Sequence, residues 1–312
     1  MAHPLIVARH AGSGAAVAAR ATDAPVSDAL PGGAVGDDRV VQVCWWGHST
    51  VGLELAGVRL LTDPVLTHSV AHLRRRRGPR PAPRAVDVDA VLVSHLHADH
   101  FHVPSLRLLG ESVRLFVPLG GAGVLRASHA PDLADRCEEL APGTTVTIAA
   151  RTATPGAELE VTTAAAAHDD RRAPWSRHRG PALEFLISSA GPASGEQRRT
   201  TVWFPGDTDL RDGLDEIGPV DLGLVPVGGW GPSLGDGHLD PGRAAEATRR
   251  VQARAAIPIH YGTLWPRGLD AIRPHLFLPP GAEYAARCAA TCPDTAVHVL
   301  DPGGGLTLPT PA

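Results

Sequence analysis

Ser94-His95-Leu96-His97-Ala98-Asp99-His100 places three histidines and an aspartate within six consecutive positions. Immediately before it runs Asp89-Ala90-Val91-Leu92-Val93, a short apolar run that reads as a buried strand. After it come Phe101 to Leu109, where Pro104 opens a predicted helix. The cluster therefore sits on a turn at the exit of a strand. Loops held by a rigid sheet are where chemistry is usually placed.

Neutral imidazole and carboxylate are the natural ligands of zinc and similar divalent ions. In an extended segment His95 and His97 point the same way, because side chains alternate with period two, so they can grip one ion. Asp99 and His100 follow after the chain turns and can reach a second ion close by. The plain alternative is a polar surface turn. Four such ligands in so short a span favour the metal.

The rest of the composition narrows the function. The chain has 312 residues, a formal net charge of −4 and 43% hydrophobic residues, enough for one large domain or two small ones with a buried core. No apolar run approaches the length of a membrane span. The near-balanced charge gives no electrostatic reason to expect nucleic acid. Every basic residue among Lys and Arg is an arginine. Without lysine there is no Schiff-base chemistry and no P-loop. Cys44, Cys137, Cys288 and Cys292 are scattered and too few for a disulfide scaffold. Cys288 and Cys292 are spaced as neighbours on one helix face and read as free thiols. A reducing, cytoplasmic setting is expected.

Residues 1–38 are rich in Ala, Gly and Asp, lack periodicity and lack the pattern of a secretory signal. A partly disordered or loosely packed arm is expected there. From residue 39 to 312 no domain boundary is visible. Val40–Trp46, Val51–Leu55 and Val58–Thr62 read as a meander, with His48 on its first turn and Asp63 at the end of its third strand. Arg74 to Arg77, with Arg80 and Arg84, form a charge run that reads as a solvated loop. A phosphate-recognising flap is the other reading. Val113–Pro118, Thr144–Ala149, Leu159–Ala165, Leu183–Ser189, Thr200–Pro205, Asp221–Val227 and Ala255–Ile259 read as further strands, and Gly120–Ser128 as a helix. His168 and His260 each stand at a strand end. Residues 169–181 form a long, arginine-rich loop, and Gly191–Arg199 a hairpin loop. Gly206-Asp207 follows a buried strand, and a carboxylate at that sheet edge can bridge two ions with its two oxygens. Gly231-Pro232-Ser233-Leu234-Gly235 fits the pattern of a serine hydrolase, but no helix follows Ser233, so the serine is rejected as nucleophile. Asp240 is a good N-cap and Pro241 a good first helical residue, which explains Asp240 structurally. His238, just before it in a glycine-rich loop, has no such explanation. A helix over Gly281–Ala290 and two closing strands within Val297–Leu308 end the chain.

His-x-His-x-Asp-His resembles the metallo-β-lactamase superfamily, and the later positions of that pattern are filled in order from Asp63 to His260. Trp46-Gly47-His48-Ser49-Thr50, Gly206-Asp207-Thr208, Gly237-His238-Leu239-Asp240-Pro241 and Ile259-His260-Tyr261-Gly262-Thr263 resemble one branch. That branch holds the N-acyl-phosphatidylethanolamine phospholipase D-like and ascorbate-6-phosphate lactonase-like enzymes. The resemblance implies an α+β fold, a four-layer αββα sandwich with two zinc ions (or Mn2+ or Fe2+) at one edge. It implies one ion on His95, His97 and His168, the other on Asp99, His100 and His260, and Asp207 bridging. Asp63 is expected to orient a metal-bound histidine, with His48, Asp240 and Tyr261 around the site or against substrate.

Asp99 and His238 are the expected catalytic residues, His238 contacting substrate or protonating a leaving group. The implied reaction is attack of a metal-bridged hydroxide on a phosphodiester. The alternatives are a lactonase or other carboxylic-ester or amide hydrolase, and a metal-binding protein without hydrolysis. Intact Asp99 and Asp207 argue against the last. The expected partner is a small-molecule or lipid-like substrate, with a homo-oligomer allowed for and neither nucleic acid nor a membrane span.

Overall fold

Alternation within single strands builds the layers. In the strand Ala90–Leu92, Ala90 and Leu92 belong to one apolar core and Val91 to another. In Arg114–Pro118, Phe116 joins the first core while Leu115 and Val117 join the second. Trp45 and Cys44 divide in the same way. A sheet whose strands are apolar on both faces must be covered on both, and period-two alternation splits its side chains between the two covers.

The computed structural model describes residues 40–309 apart from 82, 152–155, 190–198 and 232. The expected arm over 1–38 and nearly all of the hairpin loop 191–199 lie outside the described residues.

Two seven-stranded sheets face each other. The first runs, in spatial order, Gly304–Pro309, Val40–Gly47, Thr50–Leu55, Val58–Thr62, Ala90–Leu92, Arg114–Pro118 and Cys137–Leu140. Its meander is antiparallel, and its last three junctions are parallel. The second runs Ala296–Val297, Ala255–Ile259, Leu222–Pro226, Thr201–Phe204, Leu183–Ser189, Glu158–Ala165 and Thr145–Ala149. The core between them holds Trp45, Leu53, Leu60, Phe116, Phe185 and Phe204, all buried.

Helices Gly121–Ala127 and Pro131–Arg136 cover the outer face of the first sheet through Val124, Leu125 and Leu133. Helices Pro241–Arg250 and Pro280–Thr291 pack on each other and cover the second. Asp240 caps the first of this pair, accepting from the backbone N–H of Gly242 and Arg243 at 2.8 and 2.9 Å. Thr248 and Tyr284 share a buried 2.6 Å hydroxyl contact between the two helices. The result is the expected αββα sandwich. The helix at Pro104 exists but spans only Val103–Leu106.

The arginine run departs from expectation at Arg75. Ser69–Val70 and Leu73–Arg75 form a small hairpin sheet with Leu264–Pro266. Arg75 donates to the carbonyls of Trp46 and Val65 at 2.8 and 3.0 Å, and burial pushes its guanidinium down to about 10. Arg76 pairs with Asp270 and Arg77 with Asp301, while Arg80 donates to the Leu66 carbonyl. These side chains stitch distant loops together. Arg74, Arg76 and Arg80 remain exposed, as a solvated run would be, and Arg75 is the member drawn inward.

One buried ion pair holds the end of the second sheet. Arg211 grips Glu184 through Nε and Nη2 at 2.9 and 3.0 Å, and Trp203 Nε1 donates to the same carboxylate at 3.2 Å. Glu184 is only 1% exposed, so removing its partner strands a charge. Arg211→Ala is expected to destabilise the protein by about 3–5 kcal/mol in urea unfolding, with the Glu184→Gln/Arg211→Met double variant recovering much of that loss.

Candidate metal centre

Strand ends converge on one rim of the sandwich. Asp63 follows Val58–Thr62 and His95 to His100 follow Ala90–Leu92. His168 follows Glu158–Ala165, Asp207 follows Thr201–Phe204, and His260 follows Ala255–Ile259. His48 lies on the turn after Val40–Gly47. Asp63, His48 and His260 have φ of 35°, 55° and 63°, unusual for non-glycine residues. Each such residue costs about 1–3 kcal/mol and persists only where its surroundings over-determine it.

Asp63 is fully buried and uses both oxygens. Oδ1 accepts from the Ser94 backbone N–H at 2.7 Å. Oδ2 accepts from Ser94 Oγ at 2.6 Å and from His100 Nδ1 at 2.7 Å. Because the Ser94 hydroxyl spends its one proton on Asp63, it accepts at 2.9 Å from His95 Nδ1. His168 Nδ1 donates to the Gly237 carbonyl and His260 Nδ1 to the Gly228 carbonyl, both at 2.8 Å. These partners leave the Nε2 lone pairs of His95, His168 and His260 facing inward.

Those inward nitrogens crowd together. His97 Nδ1 lies 3.0 Å from His95 Nε2 and 3.1 Å from His168 Nε2. His100 Nε2 and His260 Nε2 are 3.2 Å apart. Each is 3.2 Å from one oxygen of Asp207. Lone pairs do not attract one another, and tetrahedral ligation with bonds of about 2.0 Å spaces ligand nitrogens about 3.3 Å apart. Asp207 Oδ1 is buried with no hydrogen-bond partner. Asp99 completes the second group, its Oδ2 accepting from His48 Nε2 at 2.9 Å.

Electrostatics point the same way. Burial pushes His97 down to about 4 and His260 to about 3, and lowers His95 and His168 as well, which keeps these imidazoles neutral and ready to ligate. Burial also opposes charge on His100, yet the carboxylates of Asp207, Asp63 and Asp99 hold it well above its ordinary value. Three buried carboxylates against so few cationic partners leave the pocket short of positive charge. Among the described residues, His95, His97 and His168 form one group that could hold a cation, His48, Asp99, His100 and His260 another, and His168, Asp207 and His238 a third.

His238 stands at the edge, 3.5 Å from Asp207 Oδ2, with Nδ1 against the Asp236 carbonyl at 3.2 Å. Two expected neighbours serve elsewhere. Asp240 is the helix cap described above. Tyr261 is buried, its ring stacked on Trp45 at 5.2 Å and its hydroxyl against Gly281, where a Cβ would lie 2.2 Å away.

Sequence reading missed three supports. Ser94 relays Asp63 to His95. Gly206, at φ 59°, leaves room for it, since a Cβ there would come within 2.4 Å of Ser94 Cβ. Arg172, from the long loop, donates to the carbonyls of Leu96 and Phe101, at 2.8 Å for the latter, and so clamps both ends of the histidine turn. The Ser next to the first histidine was the only legible signal of the three.

A family profile described as the beta-lactamase superfamily domain matches residues 58–261. With well over half of the sequence matched, the chain belongs to the metallo-β-lactamase superfamily.

Among its relatives is an N-acyl-phosphatidylethanolamine-hydrolyzing phospholipase D of Caenorhabditis elegans, 30% identical over 72% of this chain and 64% of its own length. The chain thus spans less than two thirds of that relative. A metal-dependent hydrolase of Caldivirga maquilingensis is 27% identical over 85% of this chain and 97% of its own. The solved metallo hydrolase Igni18 of Ignicoccus hospitalis, at 20% identity and a TM-score of 0.62, covers 86% of this chain and 98% of its own and shares the fold.

Outer partners of metal-bound histidines typically tune affinity 10- to 100-fold, as an order of magnitude. Asp63→Ala is therefore expected to weaken zinc binding by about that factor in competition with a chelator. Unchanged affinity would show that Asp63 only supports the fold.

Proposed function

We propose that this protein is a dinuclear metallohydrolase that cleaves a phosphodiester, zinc being the first candidate metal. The observation that carries the reading is the crowding of inward histidine nitrogens beside Asp207, whose Oδ1 is buried with no hydrogen-bond partner. Two divalent ions held there would lower the pKa of a water and neutralise charge developing on the substrate. The phosphodiester is proposed from the likeness to the worm phospholipase D, an enzyme named for hydrolysing a phospholipid.

The chain's own residues supply orientation and protons. His48 fixes the Asp99 carboxylate by its hydrogen bond, so Asp99 presents one orientation to the site. Asp207 lies 3.2 Å from both His100 and His260, and its carboxylate is near enough to His168 to share an ion with it. His238 leaves one N–H on the Asp236 carbonyl, and as imidazolium presents the other beside Asp207. A proton at Nε2 there can pass to a departing alkoxide or stabilise an oxyanion. Arg172 holds the histidine turn closed against fraying.

The test is turnover by the metal-loaded protein on bis-p-nitrophenyl phosphate, an acyl-homoserine lactone and a cephalosporin. Cleavage of the phosphodiester well above the other two is expected. Preference for the lactone or the β-lactam would move the substrate to the carboxylic class, and no cleavage of any with both ions bound would sink the hydrolase reading. His238→Ala should keep both metals and lose turnover about 100-fold. The loss should be smaller for p-nitrophenolate than for an alkoxide leaving group if protonation is its role.

A further inference from the structure

Trp175 is 89% exposed, a large apolar side chain left in water. Its setting is ordered. Arg171 and Arg179 pair as an antiparallel bridge, Arg172 N–H donates to the His178 carbonyl at 3.0 Å, and Ser176 N–H donates to the Ala173 carbonyl at 2.8 Å. Ala173-Pro174-Trp175-Ser176 is therefore a closed β-turn with proline at its second position. Trp175 is presented at the apex of a short hairpin, and its backbone has little entropy left to lose on binding.

The hairpin is continuous with the metal centre. It begins three residues after His168, and from its base Arg172 donates to the carbonyls of Leu96 and Phe101 on the histidine turn. At the same base Gly180 packs against the Leu119 carbonyl, and Leu119 is itself 43% exposed. Arg179 pairs with Asp170 at 2.9 Å, whereas exposed Arg177, two residues from the indole, has no ion-pair partner among the described residues. An indole at an apex with guanidinium beside it suits a boundary between apolar and aqueous phases, where the ring sits at headgroup depth and the cation meets phosphate.

We infer that the hairpin Arg171–Arg179 docks onto an anionic lipid surface, with Trp175 entering the headgroup region and Arg177 meeting lipid phosphate. The choice of lipid as occupant rests on the proposed phosphodiester reading, which makes a lipid-like substrate the natural partner of this rim. The exposed Arg177 guanidinium beside the indole favours an anionic surface over a basic one. A single aromatic and a few arginines give a reversible attachment that weakens with salt. Such docking would bring the metal centre to a bilayer.

The experiment is flotation of the full chain, metal-loaded, with vesicles of phosphatidylcholine alone and of phosphatidylcholine with phosphatidylglycerol. Binding to the anionic vesicles is expected, with Trp175→Ala and Arg177→Gln each lowering the partition coefficient about tenfold. Trp175→Ala should hydrolyse bis-p-nitrophenyl phosphate within about twofold of the parent. Absence of vesicle binding, or equal binding by Trp175→Ala, would overturn the inference. So would a large loss of turnover on the small substrate with vesicle binding intact, which would put Trp175 inside the site instead. Docking through Trp175 by a protein that hydrolyses nothing would uphold the surface and defeat the hydrolase, so the two failures are distinct.

Discussion

The Asp63 carboxylate is the constraint on which the site depends. Its two oxygens take three hydrogen bonds, one from the backbone of Ser94, one from the Ser94 hydroxyl and one from His100. Through Ser94 the same carboxylate fixes His95. One buried anion therefore decides which nitrogen of two histidines faces inward, and one of those histidines belongs to each nitrogen group. Carbonyls do the same for His168 and His260. The inward lone pairs follow from these outer bonds, and the need for cations follows from the lone pairs.

The sandwich makes this arrangement affordable. Strands buried on both faces leave little freedom at their ends, so Asp63, His48 and His260 can be held at positive φ. Both sheets contribute: Asp63 and the histidine turn come from the first, His168, Asp207 and His260 from the second. The two nitrogen groups therefore meet only when the sheets face each other correctly. The Glu184–Arg211 pair steadies the second sheet just beyond Asp207.

Much of this was legible in the sequence because the ligands stand where apolar runs stop. The histidine turn, His168, Asp207 and His260 each close a strand whose alternation is readable, and the strand bounds differ from the structure by a residue or two. Short elements escaped, among them Pro131–Arg136, Cys137–Leu140 and Leu73–Arg75. Three to six residues carry too little periodicity to announce themselves. Within the arginine run the exception is Arg75. Charge density marks solvent exposure on average, but Arg75 finds buried carbonyls that only the folded chain assembles. Ser94 and Arg172 act through contacts with the histidine turn that residue type alone does not encode. Tyr261 stands next to His260 in sequence, yet the left-handed backbone at His260 is followed by a side chain that turns into the core against Trp45.

Anomalous diffraction from crystals of the zinc-loaded protein, collected on both sides of the zinc edge, tests the central claim most directly. The account predicts two peaks about 3.5–4 Å apart, one among His95, His97 and His168 and the other among Asp99, His100 and His260, with Asp207 touching both. A single peak, or zinc bound away from Asp207, would contradict it.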